Sequence, residues 1–291
     1  MKLQARSRGY LLFLLPALTL FSVFFLYPFG KSLWLSFTDA YGYRPEIRWI
    51  GLQNYREAVS SPYFLESLGV TLRYTLFVTA VGNLTALALA LLLDSGVKGV
   101  NALRAAYFLP NLMSLIIVGF VWVFLYGSVY RSLINAFHIP KEAYVSWLGN
   151  PSLAVYSIGV TAVWQCAGYY MLIYIAALGG IPGELREAAS MDGANGWQVL
   201  RYVKLPLLAP TFVMNTVLLL TASLKAFDFP MAMTSGGPAG ATTTIALLIY
   251  NTGFRSNRTG YATAQSVLLF LMIAAVTALL QRWQRRSEAI Q

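Results

Sequence analysis

Six stretches of the chain are each apolar over about the twenty residues that a helix needs to cross a bilayer. They lie at roughly 10–30, 72–93, 105–126, 153–178, 207–227 and 264–281. Hydrophobic residues fill 57% of the 291 positions, and charged residues fill only 11%, where soluble domains carry about a quarter. Backbone polar groups in lipid must be satisfied within the segment, so such stretches become helices. The sequence predicts an all-α membrane protein with six transmembrane helices.

Basic residues indicate how these helices are oriented. When the N-terminus is placed inside, the inside segments carry Lys and Arg at about three times the density of the outside segments, as the positive-inside rule requires. The net charge of +10 is therefore ascribed to orientation rather than to nucleic-acid binding. The apolar run at 10–29 is longer than a signal-peptide core and no cleavage site follows it, so we expect a retained first span. Both termini are predicted to be cytoplasmic.

The chain lacks the residue clusters of the usual zinc, nucleotide and carboxylate sites. Its single histidine, His138, and single cysteine, Cys166, exclude the usual zinc clusters and any disulfide within the chain. No G-x-x-x-x-G-K-[ST] segment occurs, so ATP would have to be bound by another protein. The aspartates that a lipid-linked transferase would cluster are scattered, at Asp39, Asp94, Asp192 and Asp228. We expect a non-enzymatic protein without a metal or cofactor of its own.

One loop between two apolar stretches has an unusual pattern. Residues 187–206 read EAASMDGANGWQVLRYVKLP, and the loop begins a few residues earlier, at Pro182. Proline suits a first helical position, and Gly193 suits the left-handed residue that ends a helix. Glutamates near the start interact favourably with the helix dipole. The pattern predicts a short helix at 182–192, which is too short and too polar to span a membrane.

A second amphipathic piece follows at 197–204. Leu205-Pro206 is expected to end it, because the residue before a proline avoids the helical region. The two pieces form a predicted elbow, and Ala188 and Ala189 give its first helix a slim face. A slim face suits the groove of another protein, and an amphipathic loop lying on lipid headgroups is the alternative.

Polar side chains inside the predicted spans mark a candidate substrate path, because polar groups at membrane depth are costly. Gln165 and Tyr169, at i and i+4, share a helical face. Sugars need amides and hydroxyls beside an aromatic platform, and these spans contain both. Helix–helix hydrogen bonding and interfacial anchoring are the alternative roles. The candidates are Gln165, Tyr169, Tyr170, Asn215, Ser223, Lys225 and Phe227.

Three further features of the sequence each allow two interpretations. Lys225 and Asp228, at i and i+3, either pair with each other or leave Lys225 to face an anionic substrate such as a sugar phosphate. Asn83 and Gln265 also lie within predicted spans, and for both we expect helix packing rather than substrate contact. The apolar stretch at 243–250 is too short to cross, which predicts a surface helix or a re-entrant piece.

The elbow also has a family resemblance. Its E-A-A at 187–189, D-G-A at 192–194 and Leu205-Pro206 resemble the EAA loop of bacterial ABC importer permeases. In that family the loop is the coupling helix, which is seated in a cleft of the ATPase subunit. The resemblance implies that the elbow docks an ATPase. The implied coupling residues are Glu187, Ala188, Ala189, Ser190, Met191, Asp192, Gly193 and Ala194.

The resemblance extends along nearly the whole chain. The segments at 51–55, 71–75 and 107–110 are similar to segments of sugar-type permeases. The loop TSGGP at 234–238, followed by threonines at 242–244, is similar to the TxGGPxxxT loop of one of the two permeases in maltose-type and glycerol-phosphate-type importers. The chain is thereby identified as a member of the ABC importer permeases, which implies a type I (MetI-like) fold.

Membership of this family implies a permease that works with partners. They are a second homologous permease, an ABC ATPase dimer that binds ATP and Mg, an extracytoplasmic binding protein, a sugar, polyol or sugar phosphate as substrate, and membrane lipid. The implied location is the bacterial cytoplasmic (inner) membrane. The predicted parts are a first helix with a periplasmic segment at 1–66, a five-helix core at 67–282 with its coupling loop at about 182–206, and a tail at 283–291. A stand-alone secondary sugar transporter is the alternative.

Overall fold

Helices make up nearly all of the regular structure. The computed structural model describes residues 14–94, 98–140 and 144–288, apart from the side chains of Arg186 and of 283–288. The helices in chain order are α1 (Leu14–Leu35), α2 (Gln53–Ser60), α3 (Pro62–Asp94), α4 (Val100–Phe108), α5 (Leu115–Ala136), α6 (Pro151–Gly179), α7 (Gly183–Met191), α8 (Gly196–Ser223), α9 (Asp228–Thr234), α10 (Ile245–Tyr250) and α11 (Thr259–Glu288). Within the described ranges, six of them (α1, α3, α5, α6, α8 and α11) are long and apolar enough to span a membrane. The predicted all-α fold with six spans is confirmed.

The third span begins later than the sequence predicts. The expected helix at 105–126 is divided, because α4 ends at Phe108 and a 3-10 turn occupies Leu109–Leu112. Pro110 is buried in this turn, and Ser114 adopts an extended backbone conformation before α5 begins. Hydropathy continues through the turn although the helix does not, so the prediction was about ten residues early.

The predicted helix stop at Leu205-Pro206 is wrong. Helix α8 runs without interruption from the elbow into the fifth span. A π-helical turn occupies Leu200–Lys204, in which the Leu205 N–H donates a hydrogen bond to the carbonyl of Leu200. A proline inside an α-helix collides with the carbonyl four residues earlier. The wider π turn immediately before Pro206 gives the ring room, so the helix continues.

The chain forms two compact units. The smaller unit comprises Met1–Phe64 and Leu248–Leu271, and the larger comprises Leu65–Leu247 and Met272–Gln291. The predicted division at 66/67 and 282/283 stays a prediction. In the larger unit the core is centred on α6, which carries 15 buried residues. Many of these are Ala, Gly or Ser, and such small side chains let membrane helices approach closely.

A polar cluster fastens three helices of the larger unit together. The Asn83 amide of α3 donates to the Thr216 hydroxyl at 2.7 Å and to the Phe212 carbonyl at 3.2 Å, both in α8. The Tyr174 hydroxyl of α6 donates to the side-chain Oδ1 atom of Asn83. Asn83 is 2% exposed, so its amide is satisfied by protein rather than water. The expected packing role of Asn83 is confirmed.

The segment at 243–250 is not a surface helix. It forms α10, in which Ile245 and Leu247 are almost completely buried. The backbone N–H of Ile245 donates to the Thr71 hydroxyl at 2.9 Å, so a threonine of α3 satisfies one of the orphan donors at the helix start. The prediction of a surface helix is wrong, because these apolar side chains are buried within the protein. The other interpretation, a re-entrant piece, stays a prediction.

In the smaller unit, the segment at 51–55 closes the end of α1. The buried Asn54 side chain donates to the carbonyls of Ser36 and Thr38, at 3.0 and 2.8 Å. The Tyr55 and Ser36 hydroxyls share a hydrogen bond of 2.6 Å. The unpaired carbonyls at the end of a helix need partners, so this motif anchors the loop that follows the first span.

Candidate functional site

The elbow begins with the short helix α7, whose end has a complete Schellman motif. The Ala194 N–H donates to the Ala189 carbonyl at 2.9 Å, and the Gly193 N–H donates to the Ser190 carbonyl at 3.1 Å. Gly193 has a φ of +80°, in the left-handed region that glycine adopts without strain. The predicted role of Gly193 at the end of this helix is confirmed. Pro182 caps the helix instead of occupying its first position.

The second helix of the elbow starts with a capping box. The Gln198 N–H donates to the Asn195 side chain at 3.0 Å, and the Asn195 N–H donates to the Gln198 side chain at 2.7 Å. The sequence carries this signal as N-x-x-Q at 195–198. Because one helix ends and the next begins within Asp192–Asn195, the elbow has a defined angle.

The outer face of the elbow is exposed and carries large apolar side chains. Met191 is 89% exposed, Trp197 67% and Tyr202 70%. Glu184, Glu187, Ala188 and Met191 recur at helical spacing and line a shallow concavity of about 860 Å³. Of the predicted coupling residues, Ala189 and Ala194 are half-buried and the other six are exposed. An exposed apolar patch with acidic neighbours suits a protein surface that covers it.

An ion pair joins the elbow to the membrane core. The Lys204 Nζ atom lies 2.6 Å from the Asp94 carboxylate, and the two side chains are 21% and 24% exposed. Lys204 closes the π turn of α8, and Asp94 ends α3. A carboxylate at the C-terminal end of a helix is disfavoured by the dipole, so Lys204 also offsets this unfavourable charge. Sequence spacing does not predict this pair, because the two residues are 110 positions apart.

Breaking this ion pair is expected to destabilise the larger unit. Asp94→Asn or Lys204→Gln should each lower the free energy of unfolding by about 2 kcal/mol, between the values for exposed and buried pairs. The exchange of both residues, Asp94→Lys with Lys204→Asp, should recover part of the loss. The measurement is thermal unfolding of the purified chain in detergent. Glu46→Gln, which removes an exposed pair with Arg48, is the control and should change nothing. Single variants as stable as this control would contradict the prediction.

Five of the seven predicted path residues line one cavity in the larger unit. The cavity has a volume of about 150 Å³. Its predicted lining residues are Gln165, Tyr170, Ser223, Lys225 and Phe227. Helix α6, the end of α8 and the loop before α9 contribute them, so the cavity lies where these three segments meet.

The other two predicted residues lie elsewhere. Asn215 is completely buried, and its amide donates to the Tyr170 carbonyl at 3.3 Å, so it packs α8 against α6. Tyr169 is 44% exposed, and its ring meets that of Tyr170 edge to face, with 5.1 Å between centroids. Helical periodicity places Tyr169 on the face of Gln165 but does not define where the cavity ends along the helix axis. Neither residue lines the cavity.

Lys225 and Asp228 both line the cavity without pairing. The described residues form three ion pairs, and neither side chain belongs to one of them. The loop that carries them is held from behind, because the Thr244 hydroxyl donates to the Ala226 carbonyl at 2.7 Å. The Thr242 hydroxyl likewise donates to the Gly237 carbonyl at 2.8 Å. The threonines after the TSGGP segment therefore fix the position of the cavity wall.

Tyr74 of α3 also lines the cavity, although it is not among the seven predicted path residues. It is 4% exposed and lines the cavity together with Val78, one helical turn further on. A tyrosine within an apolar span, four residues from an apolar neighbour on the same face, was the available signal. Its position adds α3 to the helices that form the cavity.

In the larger unit, apolar helices surround a cavity that is lined in part by polar side chains, and an elbow is exposed, which is the architecture of a membrane transport permease. The family model described as "binding-protein-dependent transport system inner membrane component" matches residues 82–289. The chain belongs to this family and is therefore a multi-pass protein of the inner membrane and a transport component rather than an enzyme.

Curated relatives match along almost the whole chain. The probable starch degradation products transport system permease of Thermoanaerobacterium thermosulfurigenes is 34% identical over 93% of this chain and 91% of its own length. The trehalose/maltose transport system permease of Thermococcus litoralis is 32% identical, with 95% and 93% covered. The sn-glycerol-3-phosphate transport system permease of Escherichia coli O157:H7 is also 32% identical, with 96% and 95% covered.

Solved structures establish the fold. A chain of a bacterial ABC transporter involved in the import of the acidic polysaccharide alginate superposes with a TM-score of 0.86 at 24% identity, covering 98% of this chain and 99% of that one. A chain of the MetNI methionine ABC transporter gives a TM-score of 0.52 at 20% identity, covering 76% and 93%. The fold is that of type I (MetI-like) importer permeases.

Proposed function

We propose that this chain is the permease subunit of an ATP-driven importer that carries a sugar, or a related polyol or sugar phosphate, across the cytoplasmic membrane. The relatives named above, each a permease for a saccharide or for glycerol phosphate, are the observation that carries the substrate class. The permease core corresponds to 67–282, with the first helix before it and a tail after it.

The elbow couples this permease to a separate ATPase dimer, which binds ATP and Mg. The exposed residues from Glu187 to Ala194 form the part that enters the ATPase, and Met191 supplies an apolar anchor at 89% exposure. When ATP closes the ATPase dimer, the elbows of the two permeases approach each other. The helices attached to them then rock the cavity from one side of the membrane to the other.

The size of the cavity supports a second homologous permease as partner. At about 150 Å³ it is smaller than ligand pockets, which usually measure about 300–1,000 Å³. A homologous chain that contributes its own half would enlarge it to the size of a saccharide. An extracytoplasmic binding protein delivers the substrate to this cavity.

The charges of the cavity favour an uncharged sugar over a sugar phosphate. Lys225 would attract an anion, but Asp228 lies on the same wall and offsets its charge. Gln165 and Ser223 provide an amide and a hydroxyl for sugar hydroxyls, and Tyr74 and Tyr170 provide ring faces for C–H groups. The wall is therefore suited to a neutral, hydroxylated ligand.

The proposed orientation places both termini and the elbow in the cytoplasm. The higher density of basic residues in the inside segments supports it. It also brings the elbow to the side of the membrane where ATP is present.

The test is a pull-down of the tagged chain from its native membrane in gentle detergent, followed by mass spectrometry. We expect an ABC ATPase and a second permease with an EAA loop to be recovered in stoichiometric amounts. The matched control is a chain in which Gly193 is replaced by proline, which should lose the ATPase and keep the second permease.

Recovery of the chain alone, at equal expression and in several detergents, would contradict the proposal. A stand-alone secondary transporter would then be the working hypothesis. Uptake that fails on collapse of the proton gradient but survives depletion of ATP would support that alternative.

A further inference from the structure

Gln265 of α11 is buried, and its side-chain oxygen has no hydrogen-bond partner among the described residues. The residue is 1% exposed, and the unpaired atom is Oε1. The packing role expected for it is therefore not observed, in contrast to Asn83, whose amide makes three hydrogen bonds. A buried polar group left unpaired costs about 1–3 kcal/mol, so an occupant that donates a hydrogen bond would be stabilised here.

A second cavity lies beside Gln265, entirely within the smaller unit. It has a volume of about 530 Å³, within the usual range of ligand sites. We name it the Gln265 chamber, and the residues that give it its chemistry are Glu57, Ser61, Tyr63, Arg258, Tyr261 and Gln265. It shares no lining residue with the Gln165 cavity.

One wall of the chamber is held rigid by charge. Both guanidinium nitrogens at the tip of Arg258 donate to the Glu57 carboxylate at 2.7 Å, and the Arg258 Cζ atom lies 4.3 Å from the centre of the Tyr261 ring. The hydrogen bonds with Glu57 raise the pKa of Arg258, so the guanidinium stays charged. A bidentate pair stacked on a ring keeps its geometry without a ligand, which lowers the entropy lost on binding.

The chemistry of the chamber selects a neutral, hydroxylated ligand. Glu57 and Arg258 cancel in charge, so neither an anion nor a cation is favoured. Gln265 offers an acceptor, Arg258 offers donors, and a sugar hydroxyl can serve both because it donates and accepts. The Tyr63 ring is 75% exposed at the rim, available to the C–H face of a pyranose.

We propose that the Gln265 chamber is a second saccharide site, distinct from the cavity at Gln165. The class of ligand rests on the proposed function. The location of the site rests on the unpaired side-chain oxygen of Gln265 and on the chamber beside it. A sugar that occupies it hydrogen-bonds to Gln265 and stacks on Tyr63. A permease with two such sites holds one sugar in its smaller compact unit and one in its larger compact unit.

The test is saturation-transfer NMR with maltotriose on the chain co-purified with its second permease, because the cavity at Gln165 is too small for a saccharide in this chain alone. The complex is placed in phosphatidylcholine nanodiscs, whose headgroups carry no hydroxyl to compete. The chain offers a matched pair of variants, Gln265→Leu in the chamber and Gln165→Leu in the other cavity. We expect the saturation transferred from the protein to maltotriose to fall in each variant. It should be lost when both substitutions are combined. Tyr63→Ala, at an exposed position that folding does not require, should lower the transfer as Gln265→Leu does.

The outcomes separate this inference from the proposed function. Transfer that is equal in Gln265→Leu and the natural chain overturns the second site and means that water fills the chamber. Loss in Gln165→Leu alone overturns the second site but leaves the proposed path intact. Loss in Gln265→Leu alone supports the second site and contradicts the path through Gln165. If neither the natural chain nor any variant transfers saturation to maltotriose, the second site is overturned. Recovery of ATPase in the pull-down then decides the proposed function separately.

A stability measurement accompanies the binding test. Because Gln265→Leu removes an unpaired side-chain oxygen, its thermal midpoint should be unchanged or higher.

Discussion

Gly193→Pro is expected to abolish capture of the ATPase while the membrane helices stay folded. Proline fixes φ near −65°, whereas Gly193 has a φ of +80° at the end of α7. The Schellman hydrogen bonds from Gly193 and Ala194 cannot form around a proline, which also lacks an N–H. The end of α7 then unwinds and Met191 loses its fixed position. Recovery of the ATPase in the pull-down should fall by about tenfold or more, the equivalent of 1.4 kcal/mol of lost binding.

The elbow contains its own control for this prediction. Gly196 lies three residues further on, has no positive φ, and has open space where a Cβ atom would be placed. Gly196→Ala should therefore bind ATPase like the natural chain. Glu187→Ala removes an exposed carboxylate from the same face and should lower binding without unwinding the helix.

Two observations are needed to interpret the result. The thermal midpoint of Gly193→Pro should stay close to that of the natural chain, because Gly193 is exposed and has no neighbour within 4 Å of its Cβ position. Undiminished ATPase recovery and uptake in a correctly inserted Gly193→Pro protein would mean that the elbow does not couple the permease to ATP.

The spans could be predicted from the sequence because lipid imposes a simple rule. Twenty apolar residues with few charges become a helix whatever their neighbours are. The same rule fails at turns inside apolar stretches. The residues at 107–112 are still mostly apolar, but Pro110 lies in a 3-10 turn and the third span begins only at Leu115.

Local propensity also predicted the first half of the elbow better than the second. Gly193 ends its helix as expected, because a left-handed residue is a property of one position. Whether Pro206 ends the helix depends on the geometry of the preceding turn. No residue in the sequence VLRYVK predicts that this turn is a π turn. The Asp94–Lys204 ion pair, by contrast, depends on tertiary packing between α3 and α8.

The polar residues of the site were predictable as a set but not one by one. Gln165 and Ser223 are unusual in apolar spans, which drew attention to them. Whether such a residue faces a cavity or a neighbouring helix depends on the rotation and depth of that helix. Asn215 makes a helix contact and Gln165 lines the cavity for this reason, although both are buried amides in adjacent helices.

Gly168→Ala is expected to be the most destabilising single-methyl change in the larger unit. A Cβ atom at this position in α6 would lie 2.0 Å from the Tyr107 carbonyl oxygen and 2.9 Å from the Phe108 Cα atom. Carbon and oxygen atoms that are not bonded normally stay about 3.3 Å apart, so the backbones must separate by more than an ångström. No side chain can rotate to relieve the clash, because both contacts are with backbone. The cost should reach about 3 kcal/mol, at the upper end for overpacked cores.

This change should also alter the cavity, because Gly168 lies between Gln165 and Tyr170 in α6. Its neighbour Tyr107 lies at the end of α4, just before the turn that carries Pro110. A displaced α6 carries both cavity residues with it, so binding of maltotriose at Gln165 should weaken together with stability. Gly69→Ala is the matched control, since Gly69 lies inside α3 with open space at its Cβ position and should gain roughly 0.5–1 kcal/mol from helix propensity. The measurement is thermal unfolding in detergent beside the saturation-transfer experiment. If Gly168→Ala unfolds at the same temperature as Gly69→Ala, α4 and α6 are not in contact at this glycine, and the close approach that shapes the cavity wall is refuted.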